Sequence, residues 1–190
     1  MDFRLDRVGL LLDQLASSVE FSRDRFAGLT DEELLWEPAR PAWSLRRRGE
    51  AVSPGAYGPG EWLIDHERDP DPAPVTTIAW RLNHLVSMFA GRWEWTFGAR
   101  TTDPKLLVDF SPAARVTLDR LWEQTDRWFK DVPTLTDEQL DTPGHGQYPY
   151  GLDPQVPFVA ILWWINREFI HHAAEVALLR DLYRARGPVQ

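Results

Sequence analysis

The stretch NREFIHHAAEVALLRDLYRARG, residues 166–187, carries Glu168 and His172 four residues apart among large apolar side chains. On a helix this spacing sets both groups on one face, one turn from each other. Neither belongs in a dry seam without a partner, because an unpaired buried carboxylate costs several kcal/mol or takes up a proton. A third candidate, His84, lies in TTIAWRLNHLVSMF between Leu82, Leu85 and Met88. Facing helices of a bundle can bring such side chains to one point in the core. Two imidazoles and a carboxylate around a divalent cation would satisfy one another and leave coordination positions open. Zinc suits such N and O donors, at roughly 2.0 to 2.2 Å. Nickel and ferrous iron accept the same set, so ligand type does not choose among them.

Other readings attach to each residue alone. His172 reads as a core histidine bonded to a carbonyl, and Glu168 as a solvated residue or the partner of Arg81, Arg92 or Arg167. Glu175, three residues beyond His172, shares its face approximately. It either accepts a hydrogen bond from the free ring nitrogen of a ligand histidine or pairs with an arginine on a neighbouring helix. His171 points roughly 100° away from His172 and reads as a surface residue. His66 and His145 fall in expected loops, the latter in DTPGHGQYPYG. Arg81, Arg92 and the run Arg46, Arg47 and Arg48 are candidates to receive an anionic substrate or cofactor. A solvated surface is the competing reading for at least two of that run.

Four segments of helical period would position these groups. The first runs from about Leu5 to Phe26 with Val8, Leu11, Leu12, Leu15 and Val19 in register, ended by Gly28. A second, from about Thr76 to Phe97, is capped by Thr76 or Thr77 and carries His84. The third is expected to start at Ser111 with Pro112 in its first turn, and to run past Trp122, Trp128 and Phe129. The fourth, from about Val156 to Arg184, carries Glu168 and His172. Their number and length predict an all-α four-helix bundle, one domain over residues 1–190. The first connection, about Leu29 to Val75, is too long for a plain bundle loop and contains RRRGEAVSPGAYGPGEW. No strand hairpin is evident in it. LTDEELLWEP (residues 29–38) and LTDEQLDTP (residues 135–143) echo each other, with Thr30 and Thr136 as caps and Glu33 and Gln139 as capping-box partners.

Composition narrows the function classes. Net charge is −8, which argues against a general nucleic-acid-binding role. With no cysteine, thiolate metal sites, disulfides and a cysteine nucleophile are excluded, so any thiol must come from outside the chain. The N-terminal residues lack the basic start and apolar run of a secretory leader, and no stretch has the roughly 18 to 20 apolar residues of a membrane span. A cytoplasmic protein is the expectation. Ten tryptophans are more than one small core readily hides, and Trp93, Trp95, Trp122 and Trp128 are candidates for a homodimer contact.

LTDEELLWEP, TTIAWRLNHLV and EFIHHAAEVALLRDLY together resemble the DinB-like superfamily, in particular its branch of mycothiol-dependent maleylpyruvate isomerase and related thiol transferases. The resemblance implies an up-down-down-up four-helix bundle, often dimeric, holding a divalent metal, zinc or nickel, on three ligands. Carried over, those ligands are His84, Glu168 and His172, with Glu168 where many relatives have histidine. It also implies a transferase or isomerase that uses mycothiol on a small electrophilic substrate. The alternatives are a non-catalytic metal-binding or stress-associated bundle, and a hydrolase acting through metal-bound water.

Overall fold

The structure, a computed structural model, describes residues 6–147 and 155–186. From Tyr148 onward the stretch expected as a loop after His145 lies outside the described residues up to Gly151. Helix α1 spans Arg7–Phe26, and Asp6 caps it by accepting from the Gly9 amide. Its apolar stripe of Leu12, Leu15, Val19 and Phe26 is buried. Gly28 takes a φ of 71° just past its end, a conformation that glycine adopts without steric cost. A one-turn helix α2 follows at Asp31–Leu35.

The long first connection then forms a small hairpin that the sequence reading did not anticipate. Strand β1 (Leu45–Arg47) pairs antiparallel with β2 (Trp62–Ile64), in the register Leu45↔Ile64, Arg46↔Leu63 and Arg47↔Trp62. Two strands of three residues cannot hold an excursion of this length by themselves. Asp65, 0% exposed, supplies the missing organisation. Its carboxylate accepts from the backbone amides of Ser44, Val52 and Ser53, from the Ser53 hydroxyl and from Arg46 Nε.

Helix α3 spans Ile78–Phe97, with the Thr77 hydroxyl accepting from the Trp80 amide as expected. Helix α4 spans Ala114–Asp131, two residues later than a cap at Ser111 would have begun it. The reason is tertiary. Asp31, at the start of α2, accepts a 2.7 Å bond from the Ala114 amide and caps α4 from across the fold. Ser111 Oγ accepts from the Ala113 amide instead. Helix α5 (Asp137–Asp141) carries the full capping box between Thr136 and Gln139. Helix α6 is the longest, Phe158–Ala185.

Contacts fix the directions of the four long helices. Asn166 bonds Leu11 and Gln14, and Arg25 bonds Asp181, so α1 and α6 run parallel. Arg23 pairs with Asp126 and Phe26 stacks on Trp122, so α4 opposes α1. Arg81 meets Glu175 while Arg92 lies over Trp164, so α3 opposes α6. The order is up, down, down, up, as the resemblance implied. Because α3 and α4 share a direction, the connection at 98–113 must return along the bundle, and its Pro104 packs beside Gly91 of α3. The core runs through Phe89, Trp128, Phe158 and Phe169, whose rings meet at centroid distances of 6.1 to 6.5 Å. Trp128 is therefore core, 1% exposed, and drops out as a contact between copies. No helix among the described residues is long and apolar enough to cross a membrane.

Candidate metal centre

Antiparallel packing of α3 on α6 brings His84, Glu168 and His172 together, with one ligand atom from each all within 4.8 Å of the others. A single carboxylate oxygen sits at the centre. Glu168 Oε2 stands 3.8 Å from His84 Nε2 and 3.5 Å from His172 Nε2. Donors sharing a tetrahedral zinc are about 3.3 Å apart, so the cluster is close to coordination spacing. The side chains are 27%, 20% and 14% exposed, in that order, so each is partly reached by solvent.

Hydrogen bonding identifies what the cluster lacks. His172 Nδ1 stands 2.9 Å from Glu175 Oε2. We assign the ring proton to Nδ1, donating to that carboxylate, so that the lone pair on Nε2 faces Glu168. Two acceptors 3.5 Å apart then point at each other with no proton between them. His84 Nε2 is buried and has no hydrogen-bond partner. A cation placed among these three atoms satisfies all of them, which is the arrangement a metal site requires. Titration follows the same geometry. Burial lowers the His84 pKa, an effect opposed by Glu168 and reinforced by His172, which favours the neutral imidazole that binds metal. Glu168 Oε1 is occupied separately, accepting from Arg167 at 3.2 Å.

Glu175 unites the two roles considered for it. The oxygen that accepts from His172 also accepts from Arg81 NH1, which stands 2.9 Å from His172 Nδ1. Arg81 thus neutralises the carboxylate behind His172. Burial lowers the Arg81 pKa and Glu175 opposes the shift. Arg92 is placed elsewhere. It is 1% exposed, with its guanidinium 5.2 Å from the Trp164 ring, and lies eight residues along α3, about 12 Å from His84 by helical rise. The arginine run serves the first connection. Arg46 bonds Asp65, Glu37 and the Ala42 carbonyl, Arg47 pairs with Glu61, and Arg48 bonds the carbonyls of Gly58 and Gly60. His171 is exposed, as expected.

Trp80 was missed by the sequence reading. Its ring lies parallel to His84, 5.0 Å between centroids and 7° between planes, and edge-on to His172 at 6.0 Å. The signal was present, since Trp80 precedes His84 by four residues and must share its face. Its indole Nε1 donates a 2.6 Å bond to the Asp65 carbonyl, which no local pattern foretells.

Comparison with known proteins adds one match. The sequence model of the DinB superfamily matches residues 14–176. No curated protein and no solved structure matches the chain.

Proposed function

The chain belongs to the DinB superfamily, and from that premise we propose that it holds one divalent metal ion on His84, Glu168 and His172 and acts as a thiol-dependent transferase or isomerase. The observation that carries this reading is the buried His84 Nε2, without a hydrogen-bond partner, 3.8 Å from a carboxylate oxygen that stands 3.5 Å from His172 Nε2. Zinc or nickel is the proposed ion. When bound, it would lower the pKa of a thiol or water occupying an open coordination position.

The chain's own residues fit that role. Glu175 holds the proton of His172 Nδ1 and keeps Nε2 free as a donor to metal. Arg81 cancels the charge of Glu175, so Glu168 is the one anionic ligand. Two neutral imidazoles and one carboxylate leave a divalent ion with net positive charge, which favours an anionic thiolate or substrate beside it. The partial exposure of all three ligand side chains supports access by a small molecule and weighs against a closed structural site. With no cysteine in the chain, the nucleophile is an external low-molecular-weight thiol. Mycothiol is the one that the sequence resemblance implies, with a small electrophile as its acceptor.

Metal analysis of freshly purified protein, followed by turnover screening with and without mycothiol, tests the proposal. One ion per chain and thiol-dependent turnover are expected. Turnover without thiol would favour the hydrolase instead, and failure of the reloaded protein to hold any divalent ion would overturn the centre itself.

A further inference from the structure

The first connection and the three-ligand cluster meet at a single side chain. Trp80 stacks face to face on the His84 ring and presents its edge to His172. Behind it, the 2.6 Å bond from Nε1 to the Asp65 carbonyl ties the indole to β2's end. Trp43 packs against the same indole at 6.2 Å between centroids. Asp65 in turn gathers Ser44, Arg46, Val52 and Ser53 through its buried carboxylate. The Ser44 hydroxyl continues the chain of contacts to the Thr77 hydroxyl, which caps the helix bearing both Trp80 and His84.

An imidazole on a helix can rotate about its χ angles, and a metal ligand gains affinity when that freedom is already removed. Among the described residues His84 Nε2 has no hydrogen-bond partner, and the rings that meet the imidazole are those of Trp80 and His172. The indole cannot turn without breaking its bond to Asp65. We infer that Trp80 is a positioning residue that locks the His84 ring for metal binding, and that through Asp65 it couples metal occupancy to the folded state of the 44–65 connection. The inference rests on the metal reading above. Because coupling between two equilibria is reciprocal, metal must stabilise the connection as much as the connection favours metal.

The test uses full-length protein stripped with chelator. Cobalt(II) is titrated into it and followed by its visible ligand-field absorption, in the unmodified chain, Trp80→Leu and Trp80→Phe. Trp80→Leu should weaken cobalt binding about 3- to 10-fold, the range expected when one ring–ring contact is lost, and should alter the absorption envelope. Trp80→Phe keeps a ring face and removes the N–H, so its effect should be smaller and in the same direction. It also carries the test if the leucine variant does not fold. Hydrogen exchange at the Ser44, Val52 and Ser53 amides should slow when zinc is added to the unmodified protein, and this slowing should shrink in Trp80→Phe. A role in folding alone would lower the melting temperature of the metal-free protein without moving the cobalt spectrum or the zinc-dependent protection. Tight cobalt binding by the unmodified chain with the same affinity and spectrum in both folded variants would overturn the inference and leave the metal centre standing. No cobalt binding by the unmodified chain would overturn both.

Discussion

Helix α6 carries two charged clusters, twelve residues apart, one buried and one partly exposed, and they are built on opposite plans. Near its C-terminal end Arg180, 0% exposed, donates to both oxygens of Glu33 at 2.7 and 3.2 Å, and to the carbonyls of Arg25 and Ala27. Guanidinium and carboxylate are matched in charge, geometry and hydrogen bonding, so that nothing is left to bind. At Glu168 and His172 the balance is incomplete: one carboxylate oxygen stands 3.8 and 3.5 Å from the two imidazole nitrogens, His84 Nε2 has no hydrogen-bond partner, and all three side chains are partly exposed. A closed ion pair ties segments of the chain together. A cluster short of a positive charge is a place for an ion.

The largest expected effect would test the closed half of that contrast. Arg180→Ala strands a buried carboxylate, and should cost about 3 to 5 kcal/mol in denaturant unfolding of the metal-free protein. The affinity of the folded fraction for zinc should hardly change. A variant as stable as the original would mean that the pair is not the structural tie described here. Next comes the open half. Glu168→Gln keeps size and removes the charge, and should weaken zinc binding by more than about 100-fold, beyond the usual loss from a residue that only supports a ligand. His172→Ala should lose metal comparably. In both, the apolar core of four long helices should keep the metal-free protein folded, as circular dichroism would report. Equal zinc affinity in Glu168→Gln would remove Glu168 from the ligand set.

Glu175→Gln sharpens the contrast at its margin, because Glu175 belongs to the open cluster yet touches no metal position. About a 10- to 100-fold loss of zinc affinity is expected by competition titration, and a change below twofold would leave it as only the partner of Arg81. The smallest effect belongs to a pair that is neither buried nor near the cluster. Arg115→Ala removes the exposed i, i+4 contact to Asp119, and should shift stability by no more than about 0.5 kcal/mol. A larger cost would show that exposure is a poor guide to which ion pairs matter in this fold.

The sequence made the helical frame and the candidate ligand residues readable because both depend on local periodicity. Leu12, Leu15 and Val19 mark one face of α1, and Glu168 and His172 must share a face wherever α6 lies. The helix directions came from the family resemblance, and contacts such as Asn166 with Leu11 established them. What stayed hidden depends on partners far along the chain. Glu33 looked like the capping-box partner of Thr30, as Gln139 is for Thr136, but Arg180 takes its side chain from 147 residues away. Ser111 was a sound local cap, displaced by Asp31 acting across 83 residues. The hairpin is closed by one buried carboxylate rather than by turn residues, so its three-residue strands left no pattern to find. Trp128 and Trp122 sit on one amphipathic helix, and only the assembled core shows that the first is enclosed by Phe89, Phe97 and Phe158.

The shared direction of α3 and α4 sets a minimum tether length. A chain leaving the end of α3 must travel back by roughly the length of α4 before that helix can begin, about 27 Å for its 18 residues. At about 3.3 to 3.6 Å per extended residue, eight or so residues are the shortest possible bridge. The segment at 98–113 exceeds this and uses its surplus to lay Pro104 against Gly91. Trimming it below that reach would not merely loosen the bundle. It would oblige α4 to fold back as the antiparallel neighbour of α3, exchanging one topology for another and carrying the start of α4 away from Asp31.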